Sequence, residues 1–223
     1  MDARLQNLIG VTILVCTIAG TVAFVRTQVA RRDGRAASMA VRHVSNATAL
    51  QRDVPHEGAS VGAVALVAFM DYQCAGCRAM QVVIDSLLQR NATSVAVFYR
   101  HYPLTTLHES AYDAARAAVC AAEGGHFGAF HRLAFKEQDL IATKAWTTLA
   151  VRAGVSDTTR FRTCLATTRP DTVVQRDAAA GDALGLVGTP SFIVGDSLYT
   201  GYRSTNDLQD LISNAGRRSR SAP

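Results

Sequence analysis

The chain has 223 residues, of which 48% are hydrophobic, so it can bury the core of one good domain but hardly of two. Its formal net charge of +5 is modest. Much of that charge comes from arginines that follow an apolar N-terminal segment and from arginines near the C-terminus. The sequence shows no basic stripe interleaved with aromatic residues, which argues against a nucleic-acid-binding protein.

The first feature along the chain is Leu8–Val25, an uncharged and mostly apolar segment. At about 1.5 Å per residue, a helix of this length spans about 27 Å, close to the hydrocarbon thickness of a bilayer. We expect an uncleaved transmembrane anchor over residues 8–25, after a short N-terminal segment (1–7), with Cys16 as a small apolar residue inside it. Cleavage of a signal peptide near residues 36–38 is the alternative.

After the anchor, the chain is predicted to form a linker and then a β-α-β unit. Residues 26–60 have no sustained hydrophobic period and are interrupted by Pro55 and Gly58, which is typical of a linker with at most a short strand or helix. The apolar run Val61–Met70 predicts a buried strand, and the β-branched and aromatic run Ser94–Tyr99 predicts a second one. A helix between them would pair the two strands in parallel.

A CxxC motif, Cys74-Ala75-Gly76-Cys77, opens that helix, which apolar residues at helical spacing predict over Cys74–Arg90. The sulfur of Cys74 would lie at the helix N-terminus, where unpaired backbone N–H groups and the helix dipole stabilise a thiolate. A thiolate attacks disulfides, and Cys77, one turn further on, can resolve the resulting mixed disulfide. The motif therefore predicts thiol–disulfide exchange.

Metal binding is the main alternative for this pair of cysteines. Zinc would need two further ligands, and no second close Cys/His pair follows the motif. Copper is the stronger rival, because thiolates select Cu(I). A cysteine hydrolase is disfavoured, because the neighbouring thiol would trap its nucleophile, Cys74, as a disulfide. The downstream histidines are therefore predicted to be surface or helix-capping residues: His101, His108, His126 and His131.

The second half of the chain predicts a helical insertion followed by a hairpin. Residues 107–185 contain several helical segments punctuated by glycines. Ser191–Val194 and Ser197–Thr200 predict a hairpin, which a short terminal helix follows. Residues 214–223 are predicted to be a flexible basic tail. The element order is that of an α/β protein with a thioredoxin fold, residues 61–213, in which a helical domain is inserted after the β-α-β half.

Cys120 and Cys164 lie on separate predicted helices of this insertion. An even pair of cysteines on separate elements is typical of a structural disulfide in an oxidising compartment. Two buried free thiols are the alternative, because free cysteine is often buried as a small apolar residue.

Five short motifs are distributed over the predicted domain. They are DYQCAGCR at Asp71–Arg78, YRHYPL at Tyr99–Leu104 with His108 after it, GHF at Gly125–Phe127, FRTCL at Phe161–Leu165 and GTPSF at Gly188–Phe192. With these motifs the chain resembles, from Val61 to Ile212, the DsbA-like thiol:disulfide oxidoreductases, in a subgroup often membrane-anchored in bacteria. In this family the bond matching Thr189–Pro190 is cis, which would hold the threonine backbone opposite the first cysteine.

The resemblance implies a mechanism and a set of partners. Cys74 would be the attacking cysteine, Cys77 the resolving one, and the backbone at Thr189 and Pro190 would pair with an extended substrate. The partners implied are protein substrates with thiols or disulfides and a quinone-linked membrane protein that reoxidises the cysteine pair. Neither an organic cofactor nor a metal is needed for this chemistry.

The chain departs from the family pattern at two places near the motif. Ala75 and Gly76 stand where the family usually has proline and then a bulky or imidazole residue, so a group that stabilises the thiolate is missing. Ala68 stands where many relatives carry an acidic residue, and Asp71 is expected to lie at the strand end with a different role. We therefore expect a less oxidising reduction potential than that of the strongest family members.

Two signals disagree on the membrane orientation. Arg26, Arg31, Arg32 and Arg35 follow the apolar segment, and the positive-inside rule would therefore keep the domain in the cytoplasm. A redox domain with a second disulfide favours the extracytoplasmic side. We expect a single-pass protein of the bacterial cytoplasmic membrane whose redox domain lies in the periplasm and forms disulfides. A reductant of protein thiols is the alternative.

Overall fold

The computed structural model of the chain describes residues 42–59 and 63–221. The predicted N-terminal segment (1–7), the transmembrane anchor (8–25) with Cys16, and the first part of the linker lie outside these residues. Within the two described stretches, no helix is both long and apolar enough to cross a membrane.

Six strands form one mixed sheet in the described residues. In chain order they are β1 (Arg42–His43), β2 (His56–Gly58), β3 (Val64–Met70), β4 (Val95–His101), β5 (Ser191–Val194) and β6 (Ser197–Thr200). Across the sheet their order is β1-β6-β5-β3-β4-β2. β3 and β4 pair in parallel, as the sequence predicts, and the other neighbouring pairs are antiparallel.

Helices complete the described part of the fold. They are α1 (Ala75–Arg90), α2 (Ala111–Glu123), α3 (Phe127–Lys136), α4 (Trp146–Arg152), α5 (Thr158–Leu165), α6 (Arg169–Ala183), α7 (Thr205–Ser221) and the short 3-10 helices Ala47–Gln51 and Gln138–Leu140. Helices α2 to α6 lie between β4 and β5 in the chain, which confirms the predicted helical insertion. Asp157 caps α5 by accepting a hydrogen bond from the Arg160 backbone N–H at 2.8 Å, and Pro170 lies in the first turn of α6.

Strand β3 packs against apolar side chains on both of its faces, which explains its unbroken apolar sequence. Leu66 and Ala68 lie in the larger core together with Ile84 of α1 and residues of the insertion. Val67 and Phe69 lie in a smaller core on the opposite face of the sheet. Because β3 ends directly before the CxxC turn, this close packing fixes where the motif lies.

Residues 42–59 contain a short strand and a short helix, as the sequence allows, but this stretch is not a linker, because β1 and β2 form the edges of the sheet. β1 pairs with β6, and β2 pairs with β4. Val44 and Ala47 are buried in the smaller core, and Glu57 accepts a hydrogen bond from the Tyr99 hydroxyl at 3.1 Å. Unpaired edges expose backbone N–H and C=O groups, so short segments without a strong strand pattern of their own can pair there.

The C-terminal segment also differs from its prediction. Residues 214–221 continue α7 instead of forming a flexible tail. Leu208, Ile212 and Ala215 are buried and recur at helical spacing, so the apolar face of α7 extends past Ile212. The basic residues of this segment therefore belong to the polar side of a packed helix.

A disulfide joins Cys120 of α2 to Cys164 of α5 within the insertion, with a sequence separation of 44. Replacing both cysteines with alanine is expected to lower the free energy of unfolding by about 4 kcal/mol, because the unfolded chain loses a cross-link that closes a loop of this length. Urea unfolding measures this, in protein that also carries Cys16→Ser, Cys74→Ser and Cys77→Ser so that other disulfides cannot form. Coincident unfolding curves with and without Cys120 and Cys164 would contradict the prediction.

Candidate active site

Cys74 is the N-cap residue of α1, with extended backbone angles of φ −73° and ψ 118°. Its carbonyl oxygen accepts the first hydrogen bond of the helix, from the Arg78 N–H at 3.1 Å. The Cys74 thiol is half-buried and lies 3.4 Å from the carbonyl oxygen of Thr189. Cys77 is fully buried, and its sulfur accepts a hydrogen bond from the Asp71 backbone N–H at 3.5 Å. The Cys74 sulfur is therefore accessible to another molecule, whereas the Cys77 sulfur lies in the interior.

The two thiols have opposite electrostatic surroundings. Hydrogen bonding by the Cys77 thiol, with smaller contributions from Thr189 and from the backbone N–H groups of Cys77 and Gly76, lowers the pKa of Cys74 to about 5, although partial burial opposes this. Burial, reinforced by the neighbouring Cys74 thiolate, raises the pKa of Cys77 far above that of an ordinary thiol. At neutral pH the pair therefore holds one thiolate and one thiol.

Alkylation of the reduced protein is expected to follow the Cys74 pKa. A lowered thiol pKa means that the thiolate is present above it and is lost as the pH falls through it. The rate with iodoacetamide should therefore be nearly constant between about pH 7 and pH 8 and fall to half near pH 5. A protein with both Cys16→Ser and Cys74→Ser should not react in this range, because its remaining free thiol, Cys77, is buried and protonated. A midpoint near about pH 8.5, as for free cysteine, would contradict the prediction.

The peptide bond between Thr189 and Pro190 is cis, and this loop lies against the start of α1. A Cβ atom on Gly76 would lie 3.1 Å from Pro190 Cδ and 3.6 Å from the Cys74 sulfur, so a residue without a side chain permits this close approach. The carbonyl oxygen of Pro190 accepts a hydrogen bond from the Gly201 N–H at 2.7 Å. The fold thus places Thr189 and Pro190, from the second half of the sequence, beside the CxxC motif of the first half.

Asp71 directly follows the last residue of β3, three residues before Cys74 and four before Ala75, and its side chain is buried. One carboxylate oxygen accepts a hydrogen bond from the Gln73 N–H at 2.7 Å. The other accepts one from the Leu104 N–H at 2.8 Å and contacts His108 Nδ1 at 2.8 Å. Asp71 therefore holds the turn that precedes Cys74.

Two of the histidines predicted to be at the surface, His101 and His131, are buried. Burial lowers the pKa of both, so they are neutral at physiological pH. His131 contacts the Tyr72 hydroxyl through Nδ1 at 2.7 Å and the Gln81 side-chain oxygen through Nε2 at 2.9 Å. His131 lies on α3 one turn after Phe127 and one turn before Phe135. This spacing puts it on the apolar face of the helix and could have predicted its burial.

Gln138 is the site residue that sequence reasoning misses. Its side-chain amide donates hydrogen bonds to the carbonyl oxygens of Tyr72, at 2.8 Å, and Cys74, at 3.0 Å. Gln73 makes a further contact with the insertion, because its side-chain oxygen accepts the Ser110 N–H at 2.6 Å. A glutamine in an irregular segment has no pattern from which such a contact could be predicted.

The part of the chain that the structure describes contains no group of three or more His, Cys, Asp or Glu residues placed to hold a metal ion. The disulfide pair Cys120 and Cys164 connects helices of the insertion, whereas Cys74 and Cys77 are free thiols at the turn between β3 and α1. The chemistry offered by this turn is therefore that of two thiols of very different acidity, beside a backbone edge at Thr189.

Comparison with known proteins gives a match to one family model, to curated protein sequences and to solved structures. A thioredoxin family model matches residues 51–214, more than half of the chain. The Na(+)/H(+) antiporter NhaA 3 of Salinispora tropica is 32% identical over 160 residues, which cover 72% of this chain and 24% of the antiporter. The chain thus spans about a quarter of the length of the curated relatives that it matches.

Solved structures match over most of the chain. A thioredoxin-like oxidoreductase from Silicibacter pomeroyi gives a TM-score of 0.68 at 28% identity and covers 80% of this chain and 100% of its own. The thiol-disulfide exchange protein alpha-DsbA2 from Wolbachia pipientis gives 0.63 at 21% identity, with 75% and 90% covered. The chain belongs to the thioredoxin family and has the fold of the DsbA-like oxidoreductases.

Proposed function

We propose that the protein is a membrane-anchored, extracytoplasmic thiol:disulfide oxidoreductase that forms disulfides in protein substrates through Cys74 and Cys77. The observation that carries this proposal is the contrast between the two sulfurs. Cys74 is accessible at the N-terminus of α1 with a pKa near 5, and Cys77 is fully buried with a raised pKa. Membership of the thioredoxin family supports it.

In the oxidised protein, Cys74 and Cys77 share a disulfide. A substrate thiolate attacks the Cys74 sulfur, the bond to Cys77 breaks, and Cys77 leaves with the electron pair and takes up a proton, as its raised pKa favours. The second substrate thiolate then attacks the substrate sulfur of the mixed disulfide and releases Cys74 as a thiolate. A thiolate of low pKa leaves readily, so the substrate loses two electrons and the cysteine pair gains them.

The backbone at Thr189 and Pro190 is proposed to bind the substrate. The Thr189 carbonyl oxygen lies beside the Cys74 thiol, so an extended peptide that pairs with this backbone would place its own cysteine at the Cys74 sulfur. Main-chain hydrogen bonds give affinity without strong sequence selectivity. Val187, 90% exposed and two residues before Thr189, offers an apolar contact for such a peptide.

The reduction potential tests the redox role and its direction. A stabilised thiolate favours the reduced form: thioredoxin, with a cysteine pKa near about 7, has a potential of about −270 mV, and DsbA, with about 3.5, has about −120 mV. Interpolation with the Cys74 pKa of about 5 gives an expected potential of about −185 mV. Equilibration of the full chain in glutathione buffers measures this potential, with Cys74→Ser as the control.

The result of that titration decides between three functions. A potential between the expected value and that of DsbA supports net disulfide formation, whereas one near that of thioredoxin supports a reductant supplied by a membrane electron donor. A pair that shows no reversible titration removes the redox proposal. Cu(I) binding by Cys74 and Cys77 would then be tested by copper retention during gel filtration and its loss in Cys77→Ser.

The proposed location rests on the sequence of the N-terminal segment and on the second disulfide. The apolar run at residues 8–25 has the length of a membrane span. The bond between Cys120 and Cys164 supports an oxidising compartment, against the arginines that follow the apolar run. In that compartment a quinone-linked membrane protein would reoxidise the Cys74–Cys77 pair after each transfer.

A further inference from the structure

Gln138 connects the helical insertion to the turn that carries the attacking cysteine. Its amide group donates to the carbonyl oxygens of Tyr72 and Cys74, at 2.8 and 3.0 Å. The same Cys74 oxygen also accepts the Arg78 N–H that begins α1. One side chain from the insertion therefore anchors two peptide groups of the redox turn.

The position of Gln138 is itself fixed by the insertion. It is the first residue of the 3-10 helix that follows α3, and its carbonyl oxygen accepts the N–H of the fully buried Ile141 at 3.0 Å. The preceding residue, Glu137, forms an ion pair with Arg152 of α4. The amide is thus held by α3 and α4, which are not part of the β-α-β unit.

Anchoring a carbonyl group also orients the next N–H group. A trans peptide is planar and holds its C=O and N–H on opposite sides, so the bond to the Cys74 oxygen fixes the direction of the Ala75 N–H. The following N–H groups, of Gly76 and Cys77, help to lower the pKa of Cys74. Their direction depends on the conformation of the turn that Gln138 anchors.

We propose that Gln138 is a positioning residue for the Cys74 thiolate. By binding the carbonyl oxygens of Tyr72 and Cys74, it holds the first turn of α1 in the conformation whose N–H groups stabilise the negative charge. The helical insertion thereby contributes to the reactivity of a cysteine that it does not contain. This proposal rests on the proposed redox role of Cys74.

The test measures the pH midpoint of iodoacetamide alkylation in full-length Gln138→Leu and Gln138→Glu proteins. Gln138→Leu removes both donors at similar volume and is expected to raise the midpoint by about half a unit to one unit, so that alkylation below the midpoint slows about three- to tenfold. Gln138→Glu is expected to raise it further, because an ionised carboxylate cannot donate and adds negative charge near the thiolate. Should Gln138→Leu fail to fold, Gln138→Asn, whose amide has a shorter reach, should shift the midpoint in the same direction.

The matched control is Asp139→Asn, which changes an exposed side chain of the same 3-10 helix and leaves both the Gln138 amide and the Glu137–Arg152 ion pair in place. It is expected to keep the wild-type alkylation midpoint. A wild-type midpoint in Gln138→Leu, or an equal shift in Asp139→Asn, would overturn the proposal. Failure of the proposed function itself would differ, because Cys74 of the wild-type protein would then lack a low midpoint or a reversible redox titration.

Discussion

A Cys74→Ser protein is expected to have no disulfide-transfer activity above the uncatalysed background, with its fold intact. A serine hydroxyl is not ionised at neutral pH and cannot take part in thiol–disulfide exchange, and Cys77 is too deeply buried to replace it. Oxidation of a reduced, unfolded model protein measures the loss. Because Cys74 is half-buried at a helix N-cap and serine is favoured there, the melting temperature should hardly change.

The partner variant, Cys77→Ser, separates the two roles. It keeps the attacking thiolate but removes the thiol that resolves the mixed disulfide, so covalent complexes between Cys74 and substrate should accumulate. Electrophoresis under non-reducing conditions detects them as bands that reductant removes. If Cys77→Ser turned over substrate like the wild type, or if Cys74→Ser formed the same complexes, the assignment of the two roles would be wrong.

An Asp177→Ala substitution is expected to destabilise the protein by about 3–5 kcal/mol, because it leaves a buried charge without its partner. Asp177 is 0% exposed and lies 2.7 Å from the almost fully buried Arg100 guanidinium. Its second oxygen accepts the His101 backbone N–H at 3.2 Å. The pair ties α6 of the insertion to β4 of the sheet, so urea unfolding should show an earlier transition.

A control on the same helix is Asp182→Ala, which removes an exposed carboxylate that accepts a hydrogen bond from the Tyr102 hydroxyl at 2.8 Å. It is expected to cost less than about 1 kcal/mol, because the tyrosine hydroxyl can bind water instead. A double replacement, Asp177→Leu with Arg100→Met, is expected to recover most of the stability lost in Asp177→Ala. Equal losses for Asp177→Ala and Asp182→Ala would contradict the role given to the buried charge pair.

The fold was predictable where the hydrophobic periodicity and the residues that end an element agree. The strand that ends at Met70, the helix that ends at Arg90 and the hairpin at Gly195 are each bounded by apolar periodicity or by a turn residue. The edge strands β1 and β2 were not predictable, because two or three residues carry no period and are strands only by pairing with a neighbour.

The site was predictable in its chemistry and less so in its surroundings. Cys74 and Cys77 form a local motif, whereas Thr189, 115 positions from Cys74, could be connected with it only through the family resemblance. The sequence predicts a surface position for His131, whereas its polar ring is satisfied inside the core by Tyr72 and Gln81. The roles of Thr189 and His131 depend on the residues that the tertiary fold places next to them, and these neighbours cannot be predicted from one sequence.

Within the described residues, the sheet ends at both edges in strands of two and three residues, β1 and β2. A long unpaired edge would offer a row of backbone donors and acceptors to any unfolded chain. For a protein whose proposed clients are polypeptides that have not finished folding, each encounter would then risk strand addition and co-aggregation. With its edges this short, the protein can hold such a client by a covalent bond at Cys74, which the exchange reaction itself releases.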